Sequence, residues 1–295
     1  LHHLDIYDNQ FNGGLVGGAG GANQPPTSGL YLQTDDASDG TLPVSASVTL
    51  SGNLITGFEN GITVFDPQRG VYGGLPVGAT ITASYNEIAG NRQYGVQNGA
   101  GAVFAAIDNW WGDASGPGAA GPGAGDRVSE NIAYCTWLNA QAPGGVATGF
   151  VHNLDTHREF CTLNSAVAHE TTQDGHTLVA DARVYPEQVM VNKSITLTGA
   201  GAGASLIQAP AAMSPSAGAA IVSVMGAGVV ANLSGFTIEG PGDAVCGSLR
   251  AGIAVQSGAR ASIHDNEIRA IRNEPLLDCA QGVGIAVGNH SPASV

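Results

Sequence analysis

The side chains in this chain best suited to chemistry are carboxylates set beside asparagines. Asp8, Asp108 and Asp265 each immediately precede an asparagine, and Asp35, Asp36 and Asp39 share one loop closed by Gly40. Gathered carboxylate oxygens are hard donors of the kind that hold calcium, so Asp8, Asp265, Asp35, Asp36 and Asp39 are the candidate Ca2+ ligands. The spacing at 35–39 does not match an EF-hand loop, and plain solvated aspartates account for the same residues. Other chemistry is sparser. Of the eight histidines only His2 and His3 are neighbours, and neighbours on a strand point to opposite faces. There is no His-Glu-x-x-His and no Gly-x-Ser-x-Gly. The run Gly199–Ala204 lies between two strand-like segments with no helix to bind phosphate, so it reads as a tight corner. Arg92, Arg269 and Arg272 carry nothing that separates them from surface charges. Trp110 and Trp111 have the shape to stack on a sugar or to close a core. No catalytic residue and no resident cofactor is expected, calcium being the one ion the carboxylates suggest.

Composition bounds the partners. At 295 residues the chain can bury a large core or two ordinary ones. Its formal charge of −14, with Lys193 as the only lysine, argues against nucleic acid, which needs clustered cations. Glycine is abundant, at 44 residues, yet 43% of the chain is apolar and no collagen period occurs. The uncharged stretch 200–238 is broken throughout by Gly, Ser and Pro, so it suits buried strands and turns rather than a membrane span.

The elements that would position these residues recur. Gly29-Leu30-Tyr31-Leu32, Gly61-Ile62-Thr63-Val64, Tyr94-Gly95-Val96-Gln97, Gly252-Ile253-Ala254-Val255 and Gly284-Ile285-Ala286-Val287 are short strands, each followed by a turn and another strand. Asn9, Asn53, Asn86, Asn109 and Asn266 hold the same place where the chain turns after that second strand. One asparagine in a turn means little, whereas five in register imply a ladder in which buried amides satisfy one another. Cys246 and Cys279 each lie in the loop before a Gly-Ile-Ala-Val strand, 33 residues apart against 32 for the strands themselves. Loops one coil apart stack, so a Cys246–Cys279 bridge is expected. Cys135 and Cys161 would form a second, and paired cysteines point to an extracellular or cell-surface location.

The repeated strand, turn, strand and asparagine pattern resembles the right-handed parallel β-helix proteins of the pectin-lyase-like superfamily, over nearly the whole chain. The resemblance implies an all-β fold, a right-handed parallel β-helix solenoid. His176–Gly201 resembles the opening coils of such domains, and Asn109–Gly118 resembles their closing segment. Phe160, Leu163, Ala166 and Val167 have the spacing of a short helix capping the opening end. The expected organisation is therefore 1–113, the second half of a solenoid; 114–160, a Gly/Ala/Pro-rich connector; and 161–295, a cap and the first half of another. Members of the superfamily include polysaccharide lyases, hydrolases and esterases. A lyase would need calcium-binding carboxylates and a base, of which the residues above give only a trace.

The two halves stand in reversed order, and the segment running from Gly284 through Val295 into Leu1–Phe11 spells the same pattern as the uninterrupted Gly252–Ile268. Three arrangements fit: subunits joined head to tail, tandem repeats in one longer polypeptide, or a fragment of a two-domain protein. The leading functional reading is a structural extracellular protein that assembles with itself, with Leu4, Ile6, Phe11, Leu30 and Leu32 on one side of the junction and Ile285 and Val287 on the other. In that junction Asp265 and Asp8 would stand about 5 Å apart. The alternative is a secreted carbohydrate-active or carbohydrate-binding β-helix, or an adhesin fragment.

Overall fold

Stacked parallel strands form a β-solenoid of about seven turns in this computed structural model. It describes residues 2–13, 27–32, 46–64, 80–99, 103–141, 144–214, 219–275 and 282–288. The chain divides into two compact units, Leu1–Thr148 and Gly149–Val295.

In the first unit each turn has three strands. They are β1 (His2–Tyr7), β2 (Gln10–Asn12) and β3 (Ser28–Leu32); then β4 (Ala46–Ser51), β5 (Leu54–Thr56) and β6 (Asn60–Val64); then β7 (Thr80–Ser84), β8 (Glu87–Ile88) and β9 (Tyr94–Asn98). Like strands stack in register, Ile6 on Leu50, Phe11 on Ile55 and Leu30 on Ile62. Alternation then turns Leu50, Ile55, Ile62 and Val64 into a core with no exposed surface. The unit ends with β10 (Phe104–Ala105), β11 (Pro117–Ala119), β12 (Gly125–Val128), β13 (Ile132–Ala133) and the hairpin of β14 (Trp137–Leu138) and β15 (Ala147–Thr148).

The second unit opens with β16 (Val151–Asn153), which pairs antiparallel with both β17 (Arg158–Phe160) and β18 (Thr177–Ala180). Between the last two lies α1 (Leu163–Ala168), started by a capping box from Thr162 to Ser165, with Leu163, Ala166 and Val167 buried. Phe160, expected in the helix, ends β17 instead. The solenoid runs on through β19 (Val184–Pro186), β20 (Val189–Val191), β21 (Thr196–Gly199), β22 (Ser205–Gln208) and β23 (Ala220–Met225). It then continues through β24 (Val230–Ser234), β25 (Phe236–Glu239), β26 (Ala251–Gln256), β27 (Arg260–His264), β28 (Glu267–Arg269) and β29 (Val283–Val287). Four turns result.

The glycine-rich stretch expected as a connector is structured. β11 and β12 extend the sheet of β9, β6 and β3, and β13 extends that of β10. Glycine there permits close backbone approach: a Cβ on Gly125 would stand 2.5 Å from the Trp111 carbonyl, and one on Gly123 would collide with that of Gly116. The residues 114–160 are therefore shared between the end of one unit and the start of the next.

Candidate functional site: two open solenoid ends

The asparagines build a directional ladder. Asn53 donates from its backbone N–H and from Nδ2 to Oδ1 of Asn86, each at 2.9 Å. Asn86 does the same to Asn109, again at 2.9 Å, and Asn9 does so to Asn53 at 3.1 and 3.3 Å. Each Nδ2 also reaches the carbonyl two residues back, as Asn86 does to Ser84. Asn53 and Asn86 thus give forward and accept from behind, and Asn109 accepts at the ladder's end, which satisfies amides that have no exposed surface at these three positions. In the second unit Asn266 accepts from the Phe236 N–H at 3.0 Å. The earlier positions of that column are Phe236 and Ser205, stacked in register.

Asp8, Asp108 and Asp265 have φ of 56, 54 and 54°, as the residue before a rung must in this turn; Gly52 and Tyr85 fill the same place at 67 and 56°. Aspartate tolerates this left-handed region through its short polar side chain. That accounts for its recurrence without a metal. Asp108 accepts from the Thr136 hydroxyl, and Asp265 pairs with His264 at 2.9 Å. Asp35, Asp36 and Asp39 lie outside the described residues. Among the described residues no three His, Cys, Asp or Glu side chains gather as metal ligands would.

Both units end in an unfinished core. At the start of the first, Leu4 is 51% exposed and Ile6, Phe11, Leu30 and Leu32 are half-buried. At the end of the second, Ile285 is 46% and Val287 77% exposed, whereas Ile253 directly behind Ile285 has no exposure. Ile263 and Ile268 are likewise half-buried over fully covered neighbours. The ladder stops at the same two edges. Among the described residues no donor reaches Oδ1 of Asn9, and the backbone N–H of Asn266 reaches no acceptor. One end lacks a donor; the other lacks an acceptor.

The remaining candidates are structural in their surroundings. Trp111 is fully buried and Trp137 nearly so, with Trp137 Nε1 donating to Ala114, so two of the three tryptophans close the core. Arg269 pairs with Glu239 and Glu267, and Arg272 with Glu274, all at the surface. Arg92 donates its backbone N–H to the Phe58 carbonyl. Cys135, Cys161 and Cys246 are each disulfide-bonded, and Cys279 lies outside the described residues. No helix among the described residues is long and apolar enough to cross a membrane.

Three features escaped the sequence. Asp126 accepts from the Gly90 N–H and from the N–H and Nδ2 of Asn91; burial pushes its carboxyl up against those donors. His152 sits between Glu159 at 2.5 Å and Asp181 at 3.0 Å. Partial burial opposes its charge, but the two carboxylates outweigh this and raise its pKa. A cavity of about 570 Å³ on the outer side of β26 and β29 is lined by Met213, Asp243, Val245, Arg250, Gln256 and Ala286, among others. Contacts 29 to 36 residues apart create the Asp126 and His152–Asp181 links, while His152 and Glu159 meet across the short β16–β17 hairpin. No family model, curated protein or solved structure matches the chain.

Proposed function

We propose that this is a structural, extracellular protein of the pectin-lyase-like kind, without catalysis, whose copies join end to end by completing one another's solenoids. One observation carries the reading: the two open edges lack opposite things. The Asn266 edge needs an acceptor and cover for Ile263, Ile268 and Ile285. The Asn9 edge needs a donor and cover for Leu4, Ile6 and Phe11. Exposed parallel edges of this sort are templates for adding strands, and a contact between two different edges propagates rather than closes. The disulfides suit an oxidising compartment.

Electron microscopy of the purified chain tests the reading. Filaments are expected for the native protein and none for Ile285→Asp, which places a charge in the continued core. Particles that stay single at every concentration and show no axial repeat would refute it.

A further inference from the structure

We infer that the junction forms in one register only, with Asn266 of one copy and Asn9 of a second copy as successive rungs of a single ladder. This rests on the end-to-end assembly proposed above and specifies its partner surface. The polarity of the ladder selects the pair. Each internal rung donates its N–H and Nδ2 to the following Oδ1. Among the described residues Asn266 is the last rung of the second unit, and its N–H meets no acceptor; Asn9 is the first rung of the first unit, and its Oδ1 meets no donor.

That match sets the first two strands of the coil, and the glycines at the head of β29 and β3, Gly284 and Gly29, set the third. β27 lies on β1, β28 on β2 and β29 on β3. Existing pairings then continue as unbroken apolar columns. Leu233 and Ile263 meet Ile6 and Leu50. Ile238 and Ile268 meet Phe11 and Ile55. Ile253 and Ile285 meet Leu30 and Ile62, while Val255 and Val287 meet Leu32 and Val64. The left-handed turns superpose as well, Asp265 at φ 54° on Asp8 at 56°. A slip of one residue would turn the inward set outward. A slip of two would place Asn9 against His264 or Ile268, and the rung would lose its partner.

Outward-facing cysteines report the register. Glu267 and Gln10 are both exposed and become direct neighbours, with Cα atoms about 5 Å apart, within disulfide reach. Under mild oxidation the Gln10→Cys/Glu267→Cys double variant is expected to give a series of covalent multimers on non-reducing gels. Asn12→Cys/Glu267→Cys, displaced by about 7 Å along the strand, is expected to give none. Filaments in which only the displaced pair links, or neither does, would overturn the register and leave end-to-end assembly standing. A link confined to monomers would overturn the second copy as partner, since one chain would be closing on itself. Absence of filaments in the native protein would remove both readings.

Discussion

Asn86 and Asn9 have the same role in the ladder and opposite surroundings, so replacing each with alanine separates a buried rung from an open one. Oδ1 of Asn86 accepts from the N–H and Nδ2 of Asn53, and its two Nδ2 hydrogens are shared among Leu50, Ser84 and Asn109. Asn86→Ala strands the Asn53 N–H where no water reaches, since Asn53 has no exposed surface. An orphaned buried donor costs about 1–3 kcal/mol, and each further lost bond about 1 kcal/mol. About 2 kcal/mol for that donor and about 1 kcal/mol for each of the two Nδ2 hydrogens give a total of about 4 kcal/mol. In the unassembled chain Asn9→Ala loses only the Nδ2 bonds to Tyr7 and Asn53, at an exposed edge where water substitutes, so about 1 kcal/mol or less is expected. All three tryptophans, Trp110, Trp111 and Trp137, lie in the first unit, so their fluorescence in urea reports the unfolding of that unit alone. With a slope of roughly 2 kcal/mol per molar, Asn86→Ala should lower the midpoint by more than about 1 M and Asn9→Ala by less than about 0.5 M. Equal shifts would refute the ladder as the source of stability.

The remaining predictions address charge and covalent links. His152 has a raised pKa in the folded protein, so its contribution is complete below the unfolded value of about 6.5 and is lost as pH rises through the folded one. Amide exchange in β16 and β18 should therefore quicken across that window, and His152→Gln should flatten the change; identical profiles would sink the assignment. In the joined ladder Asp265 faces Asp8 at about 5 Å, a repulsion of about 1 kcal/mol at the dielectric of water. Asp8→Asn keeps a residue suited to the left-handed turn and should lower the critical concentration for assembly about fourfold, an unchanged or higher value counting against the stacking. Cys135, Cys161 and Cys246 should resist alkylation until reduced, and peptide mapping should find Cys246 linked to Cys279; any other partner would contradict the coil spacing.

The sequence displayed the ladder in the first unit because the turn imposes two adjacent requirements. The rung must carry an amide, and the residue before it must accept a left-handed φ, as Asp8, Gly52 and Asp108 do. Tyr85 meets the second requirement without looking the part, and only its asparagine neighbour betrays it. In the second unit the column changes chemistry. Ser205 satisfies the turn by donating to Asp181 and accepting from Ala200, and Phe236 fills the place by packing, so spacing alone revealed only Asn266. The glycine run at 116–125 misled for a different reason. A glycine needed for close backbone contact and one that supplies flexibility look alike in sequence, and only the Trp111 and Gly116 carbonyls behind Gly125 and Gly123 tell them apart. The cluster of His152, Glu159 and Asp181 joins β16, β17 and the end of β18, an antiparallel arrangement that the parallel repeat gave no reason to expect.

If copies join as proposed, ladder polarity favours a filament over a closed dimer. A symmetric contact between two Asn9 edges would set one Oδ1 against another, acceptor facing acceptor, with the β1 strands forced antiparallel in an otherwise parallel stack. Two Asn266 edges would oppose donors in the same way. Either arrangement leaves the rung unpaired inside a newly buried core, where an unsatisfied polar group costs about 1–3 kcal/mol. The mixed contact satisfies both rungs, keeps all strands parallel, and returns the same pair of open edges at the far ends of the product. Growth by that contact cannot exhaust its own edges, so the asparagines that stabilise the first unit, together with Asn266, would also give such a polymer its direction.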